Sequence, residues 1–133
     1  MLDTTVTTQT QDMLDSLNAA LESGDIDLAA NLFATDSYWR DLVAVSWNLK
    51  TVEGPEGVAD LLRSQLDHTR LGKFEIQPGE IPAEEGGVIT AWLTFETKTG
   101  RGWGLIRIRD GRIWTLLTAL QELKGFEENR GTR

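Results

Sequence analysis

The chain has 133 residues, the size of one ordinary domain and enough to bury a core. Hydrophobic residues make up 40% and charged residues 26%, which excludes a disordered or collagen-like chain. Thirteen basic against 21 acidic residues give a formal charge of -8, so no nucleic acid and no anionic membrane are expected as partners. There is no cysteine and a single histidine, so no disulfide framework, thiolate nucleophile or metal site is expected. No run of about 18 apolar residues exists, and the first ten residues do not form a basic-then-apolar leader, so a cytoplasmic domain is expected.

Residues 1–8 are rich in threonine and are expected to form a frayed, disordered tail. Met13, Leu14, Leu17, Ala20 and Leu21 then recur at helical spacing. Gly24 supplies a left-handed cap, and Asp25 is placed to N-cap a second, shorter helix carrying Ile26, Leu28, Ala29, Leu32 and Phe33. Tyr38 to Val43 reads as a strand, and Val45 to Val52 as a second extended segment. Glu53-Gly54-Pro55 opens a third helix, since proline is tolerated in a first turn, where its missing N–H is not needed. Val58, Leu61, Leu62 and Leu66 form its buried stripe, and Gly72 is expected to end it.

Phe74 and Ile76 alternate with polar residues, and Pro78 to Gly86 reads as a loop. Gly87 to Thr97, Arg101 to Arg109 and Ile113 to Leu123 read as strands. Asp110-Gly111 between the last two is a strong hairpin signal, because both positions accept positive φ. Lys124 to Arg133 is polar and aperiodic, as a tail or linker is. Strands following one another without crossover helices predict an α+β class and a mainly antiparallel sheet. The late strands carry apolar residues on both faces: Ile89, Ala91, Leu93 and Phe95 against Val88 and Trp92. In the last strand, alternation sets Ile113, Leu117 and Ala119 against Trp114, Leu116 and Leu120. A second apolar face predicts a homodimer through the sheet.

Asp41 is the leading candidate for chemistry. Alternation puts it on one side with Trp39 and Val43, with Tyr38 and Arg40 on the other. A carboxylate among apolar groups is either hydrogen-bonded or poised for acid–base work. Five tryptophans in one small domain are many, and indole both fills cores and lines ligand pockets. Trp39 and Trp47 are expected as pocket walls, together with Val43, Leu62 and Trp103. Gly100, Gly102 and Gly104 alternate within a strand, so they mark curvature or close backbone approach and not a phosphate cradle. His68 falls near the end of the third helix, where a cation suits the helix dipole. Arg101, Arg107, Arg109 and Arg112 make the late hairpin locally basic and, in a chain this acidic, point to intra-sheet or interdomain ion pairing and not to an anion site.

Ser23-Gly24-Asp25-Ile26-Asp27, Leu32 to Asp36, Tyr38 to Asp41 and Val52-Glu53-Gly54 together resemble the nuclear-transport-factor-2-like superfamily, which includes SnoaL-type cyclases, ketosteroid isomerases, scytalone dehydratase and limonene epoxide hydrolase. The resemblance runs from about Gln9 to Leu123. It implies a strongly curved sheet wrapped around three helices, cone-shaped with a central pocket, in a dimer. It also implies a catalytic carboxylate at the end of the first strand, the place Asp41 holds here. Tyr38 to Gly54 and Leu117 to Glu128 further resemble the N-terminal segment of bacterial flavin-containing monooxygenase-like proteins. That resemblance implies a domain over 9–123 that binds a hydrophobic small molecule, with a C-terminal oxidoreductase domain as partner. No dinucleotide fingerprint occurs, so no cofactor is expected in this chain. The alternatives are a free-standing isomerase, cyclase or dehydratase with Asp41 as general base, and a dimerisation module.

Overall fold

A computed structural model describes residues 4–42, 49–98 and 100–123. The chain runs α1 (Thr4–Ser23), α2 (Ile26–Asn31), β1 (Phe33–Leu42), β2 (Leu49–Glu53), α3 (Gly54–Thr69), β3 (Gly72–Ile76), β4 (Ala83–Glu85), β5 (Val88–Glu96), β6 (Gly100–Arg109) and β7 (Arg112–Leu123). The strands form one curved seven-stranded sheet in the order β2-β1-β7-β6-β5-β3, with β4 also pairing β5. Every pairing is antiparallel except that of β1 with β7. The expected α+β class, with three helices on a mainly antiparallel sheet, is the one observed.

The expectation of a fraying tail over 1–8 needs correction over 4–8, while residues 1–3 lie outside the described residues. α1 starts at Thr4, because Val6 is buried in the core and Thr10 is fully buried with its hydroxyl bonded to the Val6 carbonyl. Leu14, Leu17, Ala20 and Leu21 continue the same buried stripe. Asp25 caps α2 as expected, accepting the Leu28 N–H at 3.0 Å. The second helix is shorter than its apolar pattern suggests. Leu32 is its C-cap, and Phe33 already belongs to β1, which therefore begins five residues before the expected Tyr38. The third helix ends at Thr69, three residues before Gly72, with Arg70 taking the left-handed conformation (φ 50°). Within the expected loop over 78–86, β4 adds a short strand on β5. Asp110 (φ 55°) and Gly111 (φ 74°) make the expected hairpin turn.

The three helices cover the concave face of the sheet. Val58, Leu61 and Leu62 of α3 join the α1 stripe against Phe33 and Trp39 of β1, Leu93 and Phe95 of β5, Ile106 of β6 and Leu116 of β7. Phe33 and Trp39 stack with centroids 6.1 Å apart, and Phe74 meets Phe95 at 5.3 Å. Asn18 ties α1 to the sheet edge. Its amide donates to the Phe74 carbonyl at 2.9 Å and accepts the Phe74 N–H at 2.8 Å.

The faces of β7 differ from simple alternation. The β6–β7 register shifts between Arg107 and Ile108, so one extra residue sits in β7 near Trp114. After that bulge the buried inner positions are Leu116 and Thr118, and Leu117 turns outward with Leu105 and Trp103. The grouping of Ile113 with Leu117 and Ala119 is thereby corrected: Ile113 and Leu116 both pack in the core.

Candidate functional site

Asp41 is fully buried, on the same concave face as Trp39 (2% exposed), whereas Tyr38 is 41% exposed on the other side. This is the arrangement that alternation along β1 predicts. The parallel register sets Asp41 opposite Thr118, and the antiparallel one sets Thr118 opposite Gly104. Asp41, Thr118 and Gly104 thus form a row across three strands. In that row Thr118 donates its hydroxyl proton to Asp41 Oδ1 at 2.7 Å and accepts the Trp39 Nε1–H at 2.8 Å. A buried carboxylate without such donors is costly, so the row stabilises the acid where it stands.

The glycines of β6 shape the same face. A methyl group at Gly102 would overlap the Ala119 carbonyl oxygen and the Phe95 ring, and one at Gly104 would lie 2.8 Å from the Leu117 carbonyl oxygen. Both are the close backbone approaches expected of them. Gly104 also leaves the position beside Thr118 without a side chain.

Leu62 is buried in the core shared with Trp39. Trp103 is not brought to that face. It is half-buried on the outer side of the sheet, 5.7 Å from the exposed Trp92, because β6 places its glycines inward and its tryptophan outward. Val43 and Trp47 lie outside the described residues, as does the side chain of His68. Two hollows are lined by other residues. An open cleft of about 830 Å³ separates the end of α1 from β3, beside Asn18, Gly24, Arg70 and Lys73. A smaller one of about 160 Å³ lies on the outer sheet face between Tyr38, Arg40, Leu105, Arg107 and Leu117. Among the described residues, no group of three or more His, Cys, Asp or Glu side chains gathers as metal ligands would. No helix among them is long and apolar enough to cross a membrane.

Two of the late hairpin's basic residues, Arg109 and Arg112, bond within the domain. Arg109 Nη2 holds both carboxylate oxygens of Asp36 at 2.6 Å and stacks over Trp114 at 4.5 Å. That hydrogen bond from Arg109 holds the Asp36 carboxyl below its ordinary value. Arg112 donates to the Asn31 carbonyl at 2.6 Å.

Thr118 is the site residue that sequence reasoning missed. Its signal is a lone hydroxyl inside Leu116-Leu117-Thr118-Ala119-Leu120. The partner and face of that hydroxyl depend on the β7 bulge and the parallel β1–β7 pairing, neither of which is written in a local pattern.

A curved sheet with helices on its concave face defines the cystatin-like, nuclear-transport-factor-2-like class of folds. The chain belongs to the SnoaL-like domain family, whose sequence profile matches residues 14–116. A domain with a cystatin-like fold from Nostoc punctiforme superposes with a TM-score of 0.71 at 13% identity, over 93% of this chain and 82% of that one. A computationally designed 17-OHP binder superposes with a TM-score of 0.62 at 17% identity, over 83% and 88% of the two chains. An LEH-like epoxide hydrolase from Mycobacterium tuberculosis gives 0.55 at 18% identity, over 86% and 84%. No curated protein matches the chain in sequence.

Proposed function

We propose that the chain binds a small, mainly apolar molecule on the concave face of the sheet. Trp39 and Leu62 belong to its apolar wall, and Asp41 is its polar anchor. The observation that carries this reading is the row Asp41–Thr118–Gly104. An apolar residue at position 41 would pack this face at lower cost, yet the fold keeps a fully buried carboxylate there and supplies it with a donor. Beside that donor Gly104 carries no side chain, so Thr118 and Asp41 are the polar side chains of the row. A designed protein of this fold is a 17-OHP binder, which supports a hydrophobic ligand of that class. The resemblance of Tyr38 to Gly54 to the N-terminal segment of flavin-containing monooxygenase-like proteins supports service to an oxidoreductase domain. The outer face, with Trp92, Trp103, Leu105 and Leu117, supports pairing with a second copy. Titration with 17-OHP, read by tryptophan fluorescence, tests the binding. Saturable quenching that weakens in Asp41→Leu supports it, and no quenching at micromolar concentration removes this ligand class.

A second reading is proton transfer, with Asp41 as general base of an isomerase or dehydratase. The hydrogen bond from Thr118 favours it, because a held carboxylate is already oriented for its work. Cyclohex-3-enone is a suitable probe. A base takes a proton from the carbon between carbonyl and alkene, and return of a proton at the far alkene carbon gives the conjugated ketone, read by ultraviolet absorbance. Wild-type turnover that is lost in Asp41→Asn supports this reading, and equal rates in the two proteins refute it.

A further inference from the structure

We propose that Thr118 is a positioning residue for Asp41 and that Trp39 fixes the direction in which it acts. The inference rests on the reading that Asp41 is the working carboxyl of the concave face. The geometry is a two-step hydrogen-bond chain, from Trp39 Nε1 to Thr118 Oγ1 at 2.8 Å and from Thr118 Oγ1 to Asp41 Oδ1 at 2.7 Å, with all three residues at most 2% exposed. Indole N–H can only donate. The threonine hydroxyl accepts that bond and keeps one proton of its own. Among the described residues Asp41 Oδ1 is the acceptor that proton reaches. Reversing the second bond would leave the hydroxyl proton without an acceptor at a fully buried position, a cost of the order of a buried unmade hydrogen bond. The chain therefore runs one way.

Two consequences follow for Asp41. Its Oδ1 is held as the acceptor of the Thr118 hydroxyl proton. In the base reading, the carbon–hydrogen bond breaks toward the Asp41 carboxylate and its electron pair stays on the ligand, conjugated with the carbonyl. The carboxyl plane is also fixed from one side, by the Thr118 hydroxyl. Strand pairing sets this arrangement: Trp39 and Asp41 stand two residues apart on one face of β1, and the parallel register brings Thr118 level with Asp41.

The test is a spectroscopic double-mutant cycle on the whole chain. The probe is the Trp39 indole N–H resonance, and the variants are Asp41→Asn, Thr118→Val, Thr118→Ser and the combinations of Asp41→Asn with each. Asp41→Asn removes the charge at the end of the chain. It is expected to move the indole resonance in the wild-type and Thr118→Ser backgrounds, and by less than about half as much in Thr118→Val, where polarisation through the hydroxyl is lost. Equal movement in all three backgrounds overturns the proposal. Should Thr118→Val fail to fold, Thr118→Ser decides: an indole resonance there that ignores Asp41→Asn also overturns it. With cyclohex-3-enone, Thr118→Val is expected to lower kcat on the order of 10–100-fold with KM little changed, and Thr118→Ser to restore most of it. A wild-type chain that does not turn over this ketone refutes the base reading alone, and the resonance cycle still decides the chain.

Discussion

Asn18 joins α1 to the edge strand β3 through two hydrogen bonds to one residue, and its replacement gives a worked test of how the concave face is held. Both bonds have good lengths, 2.9 Å from the amide to the Phe74 carbonyl and 2.8 Å from the Phe74 N–H to the amide oxygen. At a net value of about 0.5–1.5 kcal/mol each, Asn18→Ala is expected to cost about 1–3 kcal/mol. For a chain of this size that lowers Tm by roughly 3–12 °C. Asn18→Asp separates the two bonds. One oxygen of the new carboxyl keeps the Phe74 N–H, while the other faces the Phe74 carbonyl, acceptor against acceptor. Only the protonated form can donate there, so folding raises the pKa of the new carboxyl above its unfolded value of about 3.9. The rescued stability is therefore present below that unfolded value and is lost as pH rises through the folded one. Urea unfolding followed by tryptophan fluorescence at pH 7 and near pH 3.5, against wild type at each pH, is the assay. Asn18→Ala should show about the same deficit at both, and Asn18→Asp a deficit that shrinks in acid. A loss below about 0.5 kcal/mol for Asn18→Ala, or a deficit in Asn18→Asp that ignores pH, refutes the reasoning.

Three further outcomes are expected. Gly102→Ala should destabilise by about 2–3 kcal/mol or more in urea unfolding, and Gly104→Ala by less, because the former meets both the Ala119 carbonyl and the Phe95 ring and the latter only the Leu117 carbonyl closely. Asp36→Asn should flatten the acid limb of the stability profile below about pH 4. The carboxyl of Asp36, lowered by its bond to Arg109, contributes stability above its unfolded pKa and loses it as pH falls through the lower folded value. Where the outer face pairs two copies as proposed, Trp92→Lys should shift sedimentation from two copies toward one and remove the concentration dependence of Tm. An unchanged sedimentation coefficient removes the outer face as the dimer surface.

Much of the architecture was legible because its signals are local. The Leu14-Leu17-Leu21 stripe, the Asp25 cap, the proline-led start of α3 and the Asp110-Gly111 turn each act within a few residues, and each appears where expected. Asp41 was legible for the same reason, since alternation over Tyr38 to Asp41 already places the acid with Trp39. The errors fall where distant pairing overrides the local pattern. Phe33 follows helical spacing, yet it pairs with Ile113 and stacks on Trp39, so it extends β1 instead of α2. Trp103 reads as a pocket residue by type. The close approach of the β6 backbone to Ala119 and Leu117 reserves the inward positions for glycine and sends the indole outward.

The bulge near Trp114 links these points. Without it, strict alternation from Ile113 would turn Leu117 and Ala119 inward and Leu116 and Thr118 outward. The inner end of β7 would then be wholly apolar, and Asp41 would face it without the Thr118 hydroxyl. One extra residue reverses the faces, so that Ile113 still fills the core and Thr118 arrives opposite Asp41. The same residue turns Leu117 outward, beside Leu105 on the face proposed for a second copy. A single register shift in β7 thus supplies both the polar row on the concave side and part of the apolar patch on the convex side. That shift brings the buried acid at position 41 its Thr118 donor.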